Sequence, residues 1–117
     1  MNLKTAKKLM SGMAYSQGRN KVSGRLVKEI SLDESQLIKK FNNQGGKCFW
    51  SNLPLDETYN YIKHHPFAIS VERLDNSKAY TDENTVLTRR LFNLGRMAFP
   101  EKDFKDVVET LKKEMKE

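Results

Sequence analysis

The chain has 117 residues, 38% of them hydrophobic and 9% aromatic, which is enough for one core and too few for two. Twenty-one Lys and Arg against fifteen Asp and Glu give a net charge of +6. No apolar run reaches the roughly 18 residues of a membrane span, the single cysteine (Cys48) excludes a disulfide framework or a four-cysteine zinc site, and MNLKTAKKLM lacks the apolar core of a signal peptide, so a soluble, cytoplasmic domain is expected.

The charge is uneven. Residues 1–47 hold eight Lys, two Arg and three acids (Glu29, Asp33, Glu34), a net of +7, whereas residues 48–117 carry a net of −1. A basic half joined to a near-neutral half points to a polyanion contact built by the N-terminal part.

In chain order, Leu3, Ala6, Leu9, Met10, Met13 and Ala14 have helical spacing with lysines opposite, predicting a helix over 3–16. Residues 16–24 (SQGRNKVSG) read as a loop or hinge, and RLVKEI is ambiguous between strand and helix. Ser31 and Glu34 fit a capping box ahead of LIKKF, predicting a helix over 32–43 that stops at Asn42–Gly46. In FAISVERL, Phe67, Ile69 and Val71 alternate with Ser70 and Glu72, the pattern of a strand. Residues 75–83 form a polar turn, Thr85–Leu87 a short returning strand, and Arg89–Met97 a helix. Pro100 opens an amphipathic helix whose stripe is Phe104, Val107, Val108, Leu111 and Met115, to be packed on the core or on a partner. The order helix, helix, hairpin, helix, helix makes an α+β single domain: a basic N-terminal helical arm (1–30), a core (31–97) and a C-terminal amphipathic helix (98–117).

Three segments carry the chemistry: Gly46-Lys-Cys-Phe-Trp-Ser-Asn-Leu-Pro-Leu55, Ser70-Val-Glu-Arg-Leu-Asp-Asn-Ser-Lys78, and Asn84-Thr-Val-Leu87 leading to Arg89–Arg96. Taken alone, Glu72 beside Arg73 reads as one end of a surface ion pair, and Asn93 as a helix-surface residue. His64-His65 before Pro66 reads as a loop pair, Phe49 and Trp50 as core aromatics, and Cys48 as a packed thiol.

Together the segments resemble the HNH-type (ββα-metal) endonucleases, especially the small phage-encoded group with a S-x-[DE]-R-[IL]-D-N-S-K string, over about residues 31–97. The resemblance implies a hairpin–helix cleft that grips one Mg²⁺ or Mn²⁺ against a DNA phosphate. Its implied metal ligands are Glu72, Asp75 and Asn93, with Asp75 or His65 (or neighbouring His64) as base and Asn84 bracing the hairpin loop. Arg73, Lys78, Arg89, Arg90 and Arg96 would bind phosphates, and Lys7, Lys8, Lys21 and Arg25, with Lys4 and Arg19, would contact the backbone as an arm.

This chain departs from the family at several positions. Arg73 stands where the usual histidine base would be, and a guanidinium cannot deprotonate water. Ser51, Thr88 and Leu91 stand at three cysteine positions, so no structural zinc is expected. Asn52 and Ala79 replace usual glycines, and an alanine tolerates left-handed backbone poorly. The expected function is thus a divalent-metal-dependent DNA endonuclease, phage or mobile-element encoded, acting in the host cytoplasm. The alternative is a catalytically silent DNA binder (a repressor or site competitor) on the same scaffold. A third option is a protein-binding inhibitor using the C-terminal helix, which also offers a homodimer contact.

Overall fold

The computed structural model describes residues 1–97 and 99–116. Helix α1 spans Leu3–Val22, started by Asn2, whose side chain accepts the Thr5 N–H at 2.9 Å. It continues past Ser16, through the residues predicted as a hinge. The reason is Gln17, which is buried and accepts the Lys28 N–H at 2.7 Å, tying the next segment back to the helix. The turn out of α1 comes at Gly24, with φ +77°. The basic helix packs on the rest of the molecule, with Ala6 and Met13 buried.

Strand β1 (Ile30–Ser31) is short and pairs in parallel with β3 (Tyr80–Thr81). Helix α2 spans Glu34–Asn43 and has a capping box, but its partners are Asp33 and Gln36 rather than Ser31 and Glu34. Asp33 Oδ1 accepts the Gln36 N–H at 2.8 Å, and Gln36 Oε1 accepts the Asp33 N–H at 2.9 Å. Both pairs have the required spacing of three, and Ser31 is withdrawn into β1. Helix α2 stops where expected, with Gly45 and Gly46 at φ +67° and +70°; a Cβ on Gly46 would lie 3.3 Å from the Phe41 ring.

A 3₁₀ turn (Glu57–Tyr61) leads to the hairpin of β2 (Ile69–Arg73) and β4 (Thr85–Arg89), paired antiparallel with Val71 opposite Leu87 and Glu72 opposite Val86. Helix α3 (Arg90–Arg96) follows directly, then α4 (Glu101–Glu114). The fold is α+β. Met13, Leu37, Trp50, Leu55, Val71, Leu87, Phe104 and Val108 form one core shared by α1, α2, the hairpin and α4. Each fully buried large side chain there contributes about 1.5–3 kcal/mol of transfer free energy. Trp50 sets its edge against Phe49 and Phe104 at centroid distances of 4.9 and 5.0 Å.

The predicted α4 stripe divides. Phe104 and Val108 are buried, while Val107, Leu111 and Met115 face solvent, because a helix lying on a small core covers only one side of its apolar arc. Lys112 fastens the covered side by donating to the Ser51 carbonyl at 2.7 Å. Of the predicted 98–117 segment, residues 98 and 117 lie outside the described residues. No described helix is long and apolar enough to cross a membrane.

Candidate nucleic-acid cleft

Strand alternation puts Ser70 and Glu72 on the face of β2 that receives α3. Glu72 does not project into an open cleft: its residue is 1% exposed. One carboxylate oxygen accepts Trp50 Nε1–H at 3.0 Å and the Thr88 hydroxyl at 3.3 Å; the other meets Arg96 Nη1 at 2.8 Å. Arg96, 3% exposed, also donates to the carbonyls of Arg73 (2.7 Å), Leu74 and Phe99 (2.9 Å), and its guanidinium lies 5.3 Å from the Trp50 ring centroid. Burying two charges costs several kcal/mol each, and this dense set of hydrogen bonds is what offsets it. Two expectations are therefore corrected. Glu72 is a core ion-pair member rather than a solvent-facing metal ligand, and Arg96 is its partner rather than a phosphate contact.

The loop after β2 holds the next candidates. Asp75 is exposed and accepts the Ser77 hydroxyl at 2.6 Å and the Ser77 N–H at 2.9 Å. Those two bonds, with the charges of Lys78 and Arg96, hold its carboxyl below the ordinary carboxylate value, which makes it a weaker base at neutral pH. Asn84 spans the loop: its Oδ1 accepts the Asp75 N–H at 2.9 Å, and its Nδ2 donates to the carbonyls of Asp75 (3.1 Å) and Ala79 (3.0 Å). Arg73 closes the same loop from inside, donating to the Asn76 and Lys78 carbonyls and lying 4.8 Å over Tyr80. Its Nη1 is thus spent on the loop. Ala79 does not adopt the left-handed conformation, while Asn52 does, with φ +60°.

Asn93 donates to Ser70 Oγ at 2.8 Å. Glu72, Asp75 and Asn93 therefore make three separate sets of contacts, and among the described residues no group of three His, Cys, Asp or Glu side chains is placed to hold a metal. As arranged, these residues do not fit an Mg²⁺ or Mn²⁺ site, since the central carboxylate is 1% exposed, takes three protein donors and is already paired with a buried guanidinium. His65 is also engaged elsewhere: its Nδ1 accepts the Phe67 N–H at 3.0 Å and its ring stacks on Tyr59 at 4.3 Å, so it is not poised as a base. Cys48 is buried, as expected of a packed thiol.

What the hairpin and α3 leave open is a cleft of about 390 Å³ against α1, whose polar lining is Lys8, Ser16, Asn60, Ser70, Arg90 and Asn93 and whose remaining wall is Leu9, Gly12, Met13, Ile69, Val71 and Tyr80. No carboxylate contributes to its lining. Asn60 builds one wall by pairing both main-chain groups of Ile69, accepting its N–H at 2.9 Å and donating to its carbonyl at 3.0 Å. Antiparallel pairing turns the N–H and C=O of Val71, two residues further on, to that same side, and Val71 also lines the cleft. Two cations therefore converge with hydroxyl, amide and main-chain donors, a set suited to phosphate oxygens. Arg90 is held at the rim, 3.3 Å from His64 Nδ1.

The remaining predicted cations are scattered. Arg89 donates to the Pro54 carbonyl at 3.1 Å and lies 4.4 Å over Phe67, while Lys78 is exposed, 4.0 Å from Asp75. Lys7, Lys21 and Arg25 are exposed and lie outside this cleft. Sequence reasoning missed Asn60, Ser70 and Ser16. Asn60 acquires its role only when the 3₁₀ turn meets the edge of β2, which no local motif signals. No protein-family model, curated protein or solved structure matches this chain.

Proposed function

We propose that this chain is a nucleic-acid-binding protein on an HNH-like hairpin–helix scaffold, holding phosphate in the cleft between α1, β2 and α3 without using Glu72 as a metal ligand. The observation that carries this reading is the cleft lining: Lys8 and Arg90 converge with Ser16, Asn60, Ser70 and Asn93, and no carboxylate opposes them. The charge distribution supports it, since α1 contains five cations and no acid. The test is the salt dependence of binding to a short labelled DNA. Lys8→Ala with Arg90→Ala should weaken binding and flatten the slope of log K against log salt by about 1.4–1.8, at roughly 0.7–0.9 per phosphate contact. An unchanged slope would remove the cleft from the interface.

A divalent-metal endonuclease is the second reading, favoured by the Asn84-braced loop and by Asn93 and Ser70 at the cleft wall. It requires Glu72 to part from Arg96, and it predicts metal-dependent plasmid nicking. Pairing of two chains would use the exposed Val107, Leu111 and Met115, and solution mass reads that contact.

A further inference from the structure

We infer that the solvent face of α1 is a track for an unpaired nucleic-acid strand, so that the chain selects single strands over duplex; this rests on the reading of the neighbouring cleft as a phosphate site. At 100° per residue, Lys4, Lys8, Tyr15 and Arg19 fall within about 60° of arc on one side of α1. The core-facing side is the separate set Thr5, Ala6, Met13 and Gln17. Between the two ends of the stripe lie Ser11 and Gly12, which present no bulky side chain, so a strand can approach the helix closely.

Each end of the stripe pairs a cation with an accessible tyrosine. Tyr15 is 70% exposed, with the Arg19 guanidinium carbon 5.9 Å from its ring centroid. Tyr61, 45% exposed, carries Lys4 and Lys8 at 5.0 and 5.6 Å, and its hydroxyl is fixed by Thr5 at 2.9 Å. An aromatic face flanked by cations offers stacking to a base and charge to its phosphate, and a duplex keeps its base faces hidden. From the Lys4–Lys8 end to Tyr15 is seven to eleven residues of helix, roughly 10–16 Å along its axis, a span a strand covers in a few nucleotides. Beyond Tyr15, a concavity of about 640 Å³ lined by Gly18, Arg19, Asn20, Val22 and Arg25 gives a base a seat. Lys8 belongs both to the stripe and to the cleft, so the track runs continuously into the phosphate site.

The experiment is fluorescence anisotropy at one fixed salt concentration with three probes of about 16 nucleotides, within the range one strand-binding module covers: oligo(dT), oligo(rU) and a DNA duplex. Single strands should bind at least about tenfold tighter than duplex, with Tyr15→Leu weakening them about tenfold and leaving duplex binding unchanged. Tyr15→Phe should retain the single-strand affinity, and the tighter of the two oligomers identifies the sugar. Equal or tighter duplex binding, or indifference to Tyr15→Leu, would overturn the track; if that binding still fell with Lys8→Ala and Arg90→Ala, the cleft reading would stand. No binding to any of the three probes would overturn both.

Discussion

The two ends of the β2–α3 contact differ in what their polar groups do. At the end of α3, Glu72, Arg96, Trp50 and Thr88 satisfy one another and are buried. At its start, beside α1, Arg90, Ser70 and Lys8 line an open cleft. The motif string that suggests a working carboxylate thus places that carboxylate in the core, while the helix expected to be a basic arm packs on the core through Ala6 and Met13 and supplies Lys8 to the cleft. The element that follows the hairpin decides the outcome: α3 brings Arg96, whose guanidinium pairs with Glu72 in the core.

The sharpest way to break the closed side is to remove the cation. Arg96→Met should destabilise the fold by about 3–5 kcal/mol by leaving Glu72 buried and uncompensated. Replacing both, Glu72→Leu with Arg96→Met, should cost clearly less than Arg96→Met alone, as read by urea denaturation. If the single change costs nothing, the pair is open to water and available for other work.

A smaller loss is expected at the loop. Asn84→Ala removes three hydrogen bonds to the main chain of the 75–79 turn and should cost about 1.5–3 kcal/mol, with faster amide exchange at Asp75 and no change in α1.

The smallest effect concerns how α1 is held beside the cleft. Burial pushes the Glu57 carboxyl up, but its bonds to the Thr5 hydroxyl (2.7 Å) and Asn2 N–H (3.1 Å), with the terminal ammonium, outweigh that and hold it below the ordinary value of 4.5. A depressed carboxylate stabilises the fold above its ordinary pKa and loses that contribution as pH falls through the depressed one. The protection of amides in the first turn of α1, taken relative to their intrinsic exchange rates, should therefore fall below about pH 4.5, and Glu57→Gln should abolish that pH dependence. Equal exchange in both proteins across this range would show that Glu57 does not hold the helix.

Much of the architecture is legible in the residues. The helical spacing of Leu3–Ala14, the alternation in FAISVERL and the Pro100 start each correspond to an observed element. The misreadings share a cause, in that local chemistry was sufficient for two outcomes and distant packing chose between them. Gln17 and Gly18 look like a hinge until Gln17 captures Lys28, and Ser31 and Asp33 compete for one cap. For the candidate site, Asn84, Lys8 and Arg90 were recognisable by residue type. The fate of Glu72 was not, because it depends on Arg96 reaching back across 24 residues. Asn60 was invisible for the same reason: its partner is a strand edge rather than a neighbour in sequence.

The most direct measurement is titration of labelled DNA with the protein in EDTA and then in Mg²⁺ or Mn²⁺, with supercoiled plasmid incubated in parallel. Affinity indifferent to chelation, reduced by Lys8→Ala with Arg90→Ala, and plasmid retained without nicking are the expected results. Metal-dependent nicking that disappears in Glu72→Gln would contradict the account, because it would mean that Glu72 leaves Arg96 to do chemistry.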